Sequence, residues 1–145
     1  MPAFSIIIPA HNEEKYLQKT LDSIKSQTLQ DYEAIIVTNG CTDKTEEIAK
    51  QQKDPRLRML SLPKPNVSVA RNAGALNAQG ELLLFLDADT QLAAYSLEKI
   101  KEKREFSQLP EKDIEMAYSN FEKRQASEEE KIRLTKELLR KVFSA

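Results

Sequence analysis

Four short apolar runs alternate with helix-like segments over the first 90 residues, and this alternation limits the fold more than any other feature. The runs are residues 4–8, 34–37, 57–60 and 82–86. Each has the length of a buried strand, and none approaches the 20 or so apolar residues of a membrane span. Strands separated by helices favour parallel β-α-β crossovers. The sequence therefore predicts an α/β fold with an open, mostly parallel, doubly wound sheet.

Three helices are predicted between these strands. Asn12 is expected to cap the first, whose buried face carries Leu17, Leu21 and Ile24 at helical spacing. Asp43 followed by Glu46 resembles a capping box at the start of the second. The third is predicted over residues 66–79, with Gly80 as its C-terminal glycine.

The last 50 residues differ from the rest in charge. Residues 96–145 contain 12 Lys and Arg and 11 Asp and Glu, about half of all charges in the chain. We expect residues 1–95 to form the α/β core and residues 96–145 a charged helical extension packed on the same single domain. The extension is predicted to contain a helix over 96–106, a strand over 114–118 and an amphipathic helix from Ser127. The apolar face of that last helix suits the sheet, another subunit, a second copy of the chain or a membrane surface.

Composition excludes several classes of protein. A net charge of −1 gives no basic surplus for nucleic-acid binding, so no nucleic-acid partner is expected. One cysteine cannot form an internal disulfide, which favours a reducing compartment. The N-terminal segment lacks the basic start of a signal peptide. These features together predict a soluble, cytoplasmic protein.

Polar side chains follow three of the predicted strands, at the point where each strand ends. His11 follows the first, Asn39 and Gly40 the second, and Asp87 and Asp89 the fourth. Because the carboxyl ends of parallel strands meet at one edge, where open α/β sheets bind ligands, we expect a ligand site there.

Alternation along the strand points Asp87 and Asp89 to the same side. Two carboxylates in this arrangement suit Mg²⁺ or Mn²⁺, with phosphate oxygens completing the coordination. The alternative is that one carboxylate caps the next helix and the other is solvated.

His11 and Arg71 each have two interpretations. The His11 ring suits packing against a base, or it has a simple loop role. The Arg71 guanidinium suits clamping a diphosphate, or it forms a surface salt bridge. No Gly-x-Gly-x-x-Gly or Walker A sequence is present, which disfavours dinucleotide and P-loop enzymes. No spacing pairs the lone histidine with a serine or cysteine nucleophile, and Cys41 is expected to fill a turn.

Three stretches together resemble the nucleotide-sugar-binding half of family 2 glycosyltransferases, inverting enzymes with the A-type fold. They are SIIIPAHNEEKYLQKTLDSIKSQTL, VTNGCTDKT and NVSVARNAGALNAQGELLLFLDADT, which together lie within residues 4–90. The resemblance implies transfer of a sugar from a UDP- or GDP-type donor to the hydroxyl of an unknown acceptor, with Mg²⁺ or Mn²⁺ bound.

By position, the resemblance implies a nucleotide-sugar site of nine residues: Pro9, His11, Glu13, Val37, Asn39, Arg71, Asp87, Ala88 and Asp89. Pro9, His11 and Glu13 would line the nucleobase and ribose. Asn39, with Val37 nearby, falls where the family usually has an Asp that reads the edge of the base. Arg71 would lie near the diphosphate. Asp89 would ligate the metal ion, and Asp87 would contact the ribose or a water bound to the metal.

The catalytic base is not identified by the resemblance. In the family it lies well downstream, in a region that also forms the acceptor site, and this sequence has no Gln-x-x-Arg-Trp motif. Glu111, Asp113 and Glu115 are the nearby carboxylates, and none is assigned. The alternative function is therefore a truncated or non-catalytic nucleotide-sugar-binding module that lacks the acceptor site and base. The absence of a Gly-rich, Lys-bearing first loop disfavours a nucleotidyltransferase.

Overall fold

The computed structural model of the chain describes residues 1–107, which contain four strands and four helices in alternation. In chain order these are β1 (Phe4–Ala10), α1 (Leu17–Lys25), β2 (Tyr32–Asn39), α2 (Thr45–Lys50), β3 (Leu57–Leu62), α3 (Val67–Leu76), β4 (Leu82–Phe85) and α4 (Ser96–Ser107). The chain divides after Ala94 into two compact units, and α4 lies in the second. The predicted strand 114–118 and the helix from Ser127 lie outside the described residues. The expected packing of residues 96–145 on the core stays a prediction.

The strands form one sheet in the order β3-β2-β1-β4, and every pairing described within residues 1–107 is parallel. The chain moves outward from β1 through β2 to β3. It then crosses back through α3, which contacts β1 and β2, to place β4 on the other side of β1. The predicted parallel α/β sheet is confirmed. This reversal makes the gap between the carboxyl ends of β1 and β4 the switch point of the sheet.

The core forms because β1 and β2 are apolar on both faces. Ile7, Ile35 and Val37 form a buried cluster with Ala70 of α3. Leu17, Leu21 and Ile24 of α1 are also fully buried, as their helical spacing predicts. Burying each such side chain contributes about 1.5–3 kcal/mol, so this packing fixes the sheet on which the strand-end loops rest.

The predicted start of α1 is wrong. The helix begins at Leu17 with Tyr16 at its N-cap, and Tyr16 forms no side-chain cap. Asn12 instead has a left-handed backbone, with φ of 51°, and its Oδ1 accepts the N–H of Thr42 at 2.8 Å. Its side chain therefore joins two loops and does not start a helix.

The predicted capping box of α2 is wrong, because the helix begins at Thr45 with Lys44 at its N-cap, and Lys44 forms no side-chain cap. Asp43, one residue earlier, accepts the N–H of Thr45 at Oδ1 at 2.9 Å. Glu46 does not return the bond, because its carboxylate pairs with Lys50 at 2.8 Å and accepts the Ser61 hydroxyl.

The end of α3 also differs from the expectation. Asn66 caps the helix by accepting the N–H of Val69 at 3.1 Å, but the helix ends at Leu76. Gly80 therefore lies beyond it and has another role. A Cβ at Gly80 would lie 2.5 Å from the Ser5 nitrogen, so glycine lets the chain pass close to β1.

Among the described residues, no helix combines the length and the apolar character needed to cross a bilayer.

Candidate functional site

The strand-end residues predicted from sequence lie at one edge of the sheet. His11 follows β1, Asn39 ends β2, and Asp87 and Asp89 follow β4. The chain reverses direction between β1 and β4, and the carboxyl ends of the strands at such a point are where open α/β sheets bind ligands.

The segment after β4 continues the alternation of the strand. Leu86 and Ala88 are buried, whereas Asp87 and Asp89 are exposed. The carbonyl oxygen of Ala88 accepts the Thr20 hydroxyl of α1 at 2.7 Å. The N–H of Thr90 returns to the carbonyl of Asp87 at 3.0 Å. The two carboxylates therefore project from a segment whose backbone is tied down.

Arg71 and Asp87 meet at this edge. Arg71 lies one turn into α3, and its Nη2 is 3.4 Å from Oδ1 of Asp87. Their side chains are 43% and 66% exposed, so both groups are open to a ligand. The structure brings the predicted diphosphate residue and the predicted metal residue together.

Glu13 shows how many carboxylates share this edge. Burial raises the pKa of Glu13, and the charges of Asp89, Asp43 and Asp87 raise it further, whereas His11 lowers it. Three other carboxylates are thus close enough to act on Glu13. The carboxylates near Glu13 therefore make this part of the edge electronegative, and Arg71 is the cation that faces Asp87 there.

The two exposed carboxylates fit a divalent ion only if a ligand completes the coordination. Within residues 1–107, no cluster of three or more His, Cys, Asp or Glu side chains is placed to hold a metal ion. Mg²⁺ characteristically binds through one or two carboxylates together with water and substrate phosphates. Asp87 and Asp89 match that donor set.

His11 is exposed and held in one orientation. Its Nδ1 lies 2.7 Å from the carbonyl oxygen of Asn39. A carbonyl oxygen can only accept, so Nδ1 carries the proton in this bond. Nε2 lies 3.5 Å from Nδ2 of Asn12. The ring is therefore a flat, exposed surface whose angle is set by the end of β2.

Asn39 is buried beneath the loops at 2% exposure. Its Nδ2 donates to the carbonyls of Ala10 at 3.2 Å and Val37 at 3.3 Å. Its Oδ1 accepts the N–H of Asn66, just before α3, at 3.1 Å. The amide thus joins the ends of β1 and β2 to the start of α3. Its contact with a base stays a prediction, and so do those of Pro9 and Val37, which are buried partners in neighbouring strands.

The loops after β1 and β2 are bound to each other by hydrogen bonds that the sequence did not reveal. The N–H of Glu13 donates to the Thr45 hydroxyl at 2.8 Å, and the N–H of Glu14 donates to Asp43 at 3.2 Å. The Glu14 carboxylate accepts the N–H of Lys44 at 3.1 Å. These bonds hold the His11 loop in place.

Cys41 donates its thiol to the Ala10 carbonyl at 3.2 Å, which agrees with the expected turn-filling role.

Sequence reasoning missed two threonines that hold the site. Thr20 donates its hydroxyl to the Ala88 carbonyl, and Thr45 accepts the N–H of Glu13. Both lie within stretches that resemble the family, but neither residue was assigned a role there, because the partner of each hydroxyl lies on a distant segment.

Comparison with known proteins shows which protein family the sequence matches. The sequence profile described as "Glycosyl transferase family 2" matches residues 5–109. The chain is 34% identical over 111 residues to an uncharacterized glycosyltransferase, EpsJ, of Bacillus subtilis, covering 75% of this chain and 32% of EpsJ. It is 39% identical over 102 residues to an uncharacterized glycosyltransferase of Haemophilus influenzae, covering 68% of this chain and 41% of that protein. The chain therefore spans less than half the length of these relatives.

Among solved structures, the chain is similar to S. aureus TarS 1–349 in complex with UDP-GlcNAc. The TM-score is 0.62 and the identity 28%, over 69% of this chain and 30% of that one.

Proposed function

The chain belongs to glycosyl transferase family 2, and we propose that it binds a UDP- or GDP-sugar at the carboxyl edge of its sheet. The full activity proposed is metal-dependent transfer of the sugar, with inversion, to the hydroxyl of an acceptor. The observation that carries this proposal is the convergence of Arg71, Asp87 and Asp89 on the β1–β4 switch point.

Arg71 is proposed to hold the diphosphate. A guanidinium presents several donors in a fixed plane and matches phosphate oxygens. Because it faces Asp87 at 3.4 Å, a diphosphate bound to Arg71 would lie beside the two carboxylates. TarS, with its UDP-GlcNAc complex, supports a donor of this class.

Asp87 and Asp89 are proposed to hold Mg²⁺ or Mn²⁺ together with diphosphate oxygens. A divalent ion there would stabilise the negative charge that develops on the leaving diphosphate. The carboxylates of Glu13 and Asp43 support the same assignment, because they would repel a diphosphate that arrived without a cation.

His11 is proposed to pack its ring against the nucleobase, with Pro9, Val37 and Asn39 shaping the floor beneath it. The bond from Nδ1 to the Asn39 carbonyl leaves the ring face exposed and fixes its tilt. Glu13 follows in the same loop and is proposed to accept hydroxyls of the ribose. The general base is left unassigned, since Glu111, Asp113 and Glu115 lie outside the described residues.

Calorimetry of UDP and GDP binding, with and without MnCl₂, tests this proposal. We expect binding of one nucleotide that depends on the metal, and we expect Asp89→Asn to abolish the metal-dependent part. Asp31→Asn is the matched control, because Asp31 is exposed and precedes β2 at the opposite edge. Equal affinity of Asp89→Asn and the wild type would reject the metal–diphosphate assignment.

Incubation with labelled donors and a mixed acceptor panel tests transfer. Formation of a glycosylated product supports the enzyme. Metal-dependent donor binding without transfer or hydrolysis would support the alternative, a non-catalytic nucleotide-sugar-binding module.

A further inference from the structure

Thr20 lies on α1, beneath the segment that carries the two carboxylates. It is fully buried, and Ala88 is 3% exposed. The Thr20 hydroxyl donates to the Ala88 carbonyl at 2.7 Å. That carbonyl belongs to the residue between Asp87 and Asp89, so this one bond acts on the backbone linking both carboxylates.

A second hydroxyl of α1 holds the same segment further along. Ser23 Oγ accepts the N–H of Leu92 at 3.0 Å and donates to the Thr20 carbonyl at 2.6 Å. The turn between these points is closed by the bond from Thr90 N–H to the Asp87 carbonyl. The segment from residue 87 to residue 92 is thus attached to α1 at Ala88 and at Leu92.

A buried carbonyl without a donor is costly, because water does not reach it to replace the lost bond. If the Thr20 hydroxyl is removed, the peptide at Ala88 gains by rotating toward another donor. Such a rotation changes the distance between the two flanking carboxylates. Metal sites are sensitive to such changes, and loss of a group that orients the ligands lowers metal affinity.

We propose that Thr20 is a positioning residue for the metal–diphosphate site, holding Asp87 and Asp89 at the spacing that the ion requires. The role rests on the function proposed above. Thr20 touches neither ligand nor metal, and it acts through the Ala88 carbonyl.

The test compares Thr20→Val, which removes the hydroxyl with little change in shape, with Thr20→Ser, which retains it. Ser26→Ala is the matched control, since Ser26 is the C-cap residue of the same helix and its hydroxyl donates to the Asp22 carbonyl. UDP affinity at a fixed MnCl₂ concentration below saturation is measured by calorimetry, and uridine affinity by NMR titration. Uridine has no phosphate, so it reports on the nucleobase site alone.

We expect Thr20→Val to weaken metal-dependent UDP binding by about tenfold to 100-fold, the range typical of groups that orient metal ligands. Uridine binding should be unchanged, and Thr20→Ser should recover most of the UDP affinity. A purely structural role would weaken uridine and UDP alike, and that result would overturn the proposal.

Two further outcomes are separable. A wild-type chain that binds UDP with Mn²⁺, together with a Thr20→Val variant of equal affinity, overturns the role of Thr20 alone. A wild-type chain that binds no nucleotide with Mn²⁺ overturns the proposed function and this inference together. If Thr20→Val does not fold, Thr20→Ala replaces it, because it also removes the hydroxyl that donates to the Ala88 carbonyl. Selective loss of metal-dependent affinity again supports the proposal, and an unchanged affinity again overturns it.

Discussion

The guanidinium of Arg71 lies 3.4 Å from the carboxylate of Asp87, and this pair bridges α3 to the segment after β4. Arg71 lies on α3, the crossover through which the chain reverses direction between β3 and β4, and Asp87 lies just after β4. Both side chains are exposed, so the Arg71 guanidinium is available to phosphate oxygens and the Asp87 carboxylate to a metal ion. The pair therefore links the two halves of the proposed diphosphate site.

Replacing Arg71 with Gln should weaken UDP binding in the presence of Mn²⁺ and leave folding nearly intact. The lost charge-assisted hydrogen bonds correspond to about tenfold to 100-fold in affinity. The exposed pair itself contributes about 0–1 kcal/mol to stability, so the unfolding free energy should change little. Calorimetry and urea unfolding check the two halves of this prediction. Lys53→Gln, which removes an exposed cation just before β3, is the control. A large loss of unfolding free energy in Arg71→Gln, with UDP affinity unchanged, would contradict the prediction.

Asn39→Asp should destabilise the protein, although it changes only one atom. The amide nitrogen that donates to the Ala10 and Val37 carbonyls becomes an oxygen that faces them, at a position 2% exposed. The loss should exceed about 2 kcal/mol at neutral pH, because the buried charge keeps only the Asn66 N–H as donor while its other oxygen faces two carbonyl oxygens. It should shrink as pH falls and the new carboxyl protonates, since the protonated form donates one bond. Urea unfolding at neutral and acidic pH measures this, with the exposed Asn72→Asp as control. An equal loss of unfolding free energy in Asn39→Asp and Asn72→Asp would contradict the inward orientation of the Asn39 amide.

Glu33 should make stability depend on pH. Its Oε1 accepts the Ser5 hydroxyl at 2.5 Å and the N–H of Gln79 at 2.6 Å, and its Oε2 lies 3.3 Å from Arg58. Burial acts to raise the pKa of Glu33, but these bonds and the Arg58 charge hold it below its ordinary value of 4.5. The stabilisation is therefore complete above the ordinary pKa and is lost as pH falls toward the lowered one.

Glu33→Gln should accordingly cost about 1–3 kcal/mol at neutral pH. It should also flatten the fall in unfolding free energy between about pH 6 and about pH 3. Denaturant titrations of wild type and variant at several pH values check both effects. The exposed Glu47→Gln should retain the wild-type slope. A Glu33→Gln variant with the same slope as wild type would refute the role.

Gly40→Ala should destabilise the loop that supports His11. Gly40 has φ of +59°, and an added Cβ would lie 2.5 Å from Cδ of Pro65. The left-handed backbone alone costs an alanine about 1 kcal/mol or more, and the contact adds to this. Thermal unfolding should show a clear loss, and UDP affinity should fall because the loop preceding α3 must move. An unchanged melting temperature would contradict both the cost of the left-handed backbone and the contact with Pro65.

Apolar patterning was sufficient to predict the four strands, their parallel pairing and the edge at which polar residues gather. The buried face of α1 was predicted correctly from Leu17, Leu21 and Ile24, because residues at this spacing lie on the same side of a helix. The boundary of that helix was wrong because Asn12 bonds to Thr42, a residue 30 positions away that local capping rules ignore. Gly80 was misplaced for the same reason, since its partner is Ser5 in β1.

The residue types of the candidate site were predictable, but their roles within the fold were not. His11, Asp87 and Asp89 follow strands, and topology places strand ends together. The inward direction of the Asn39 amide and the bond from Thr20 to Ala88 depend on packing between distant segments. No local signal in the sequence encodes them.

Broadening of backbone NMR signals by Mn²⁺ in the presence of UDP tests the central claim most directly. A paramagnetic ion held by Asp87 and Asp89 should broaden the signals of that segment, of the His11 loop and of the first turn of α3. Signals of Ser5 and Glu33, at the opposite edge of the sheet, should stay sharp, and Asp89→Asn should remove the effect. Broadening centred elsewhere, or equal broadening in Asp89→Asn, would contradict a metal–diphosphate site at the carboxyl edge.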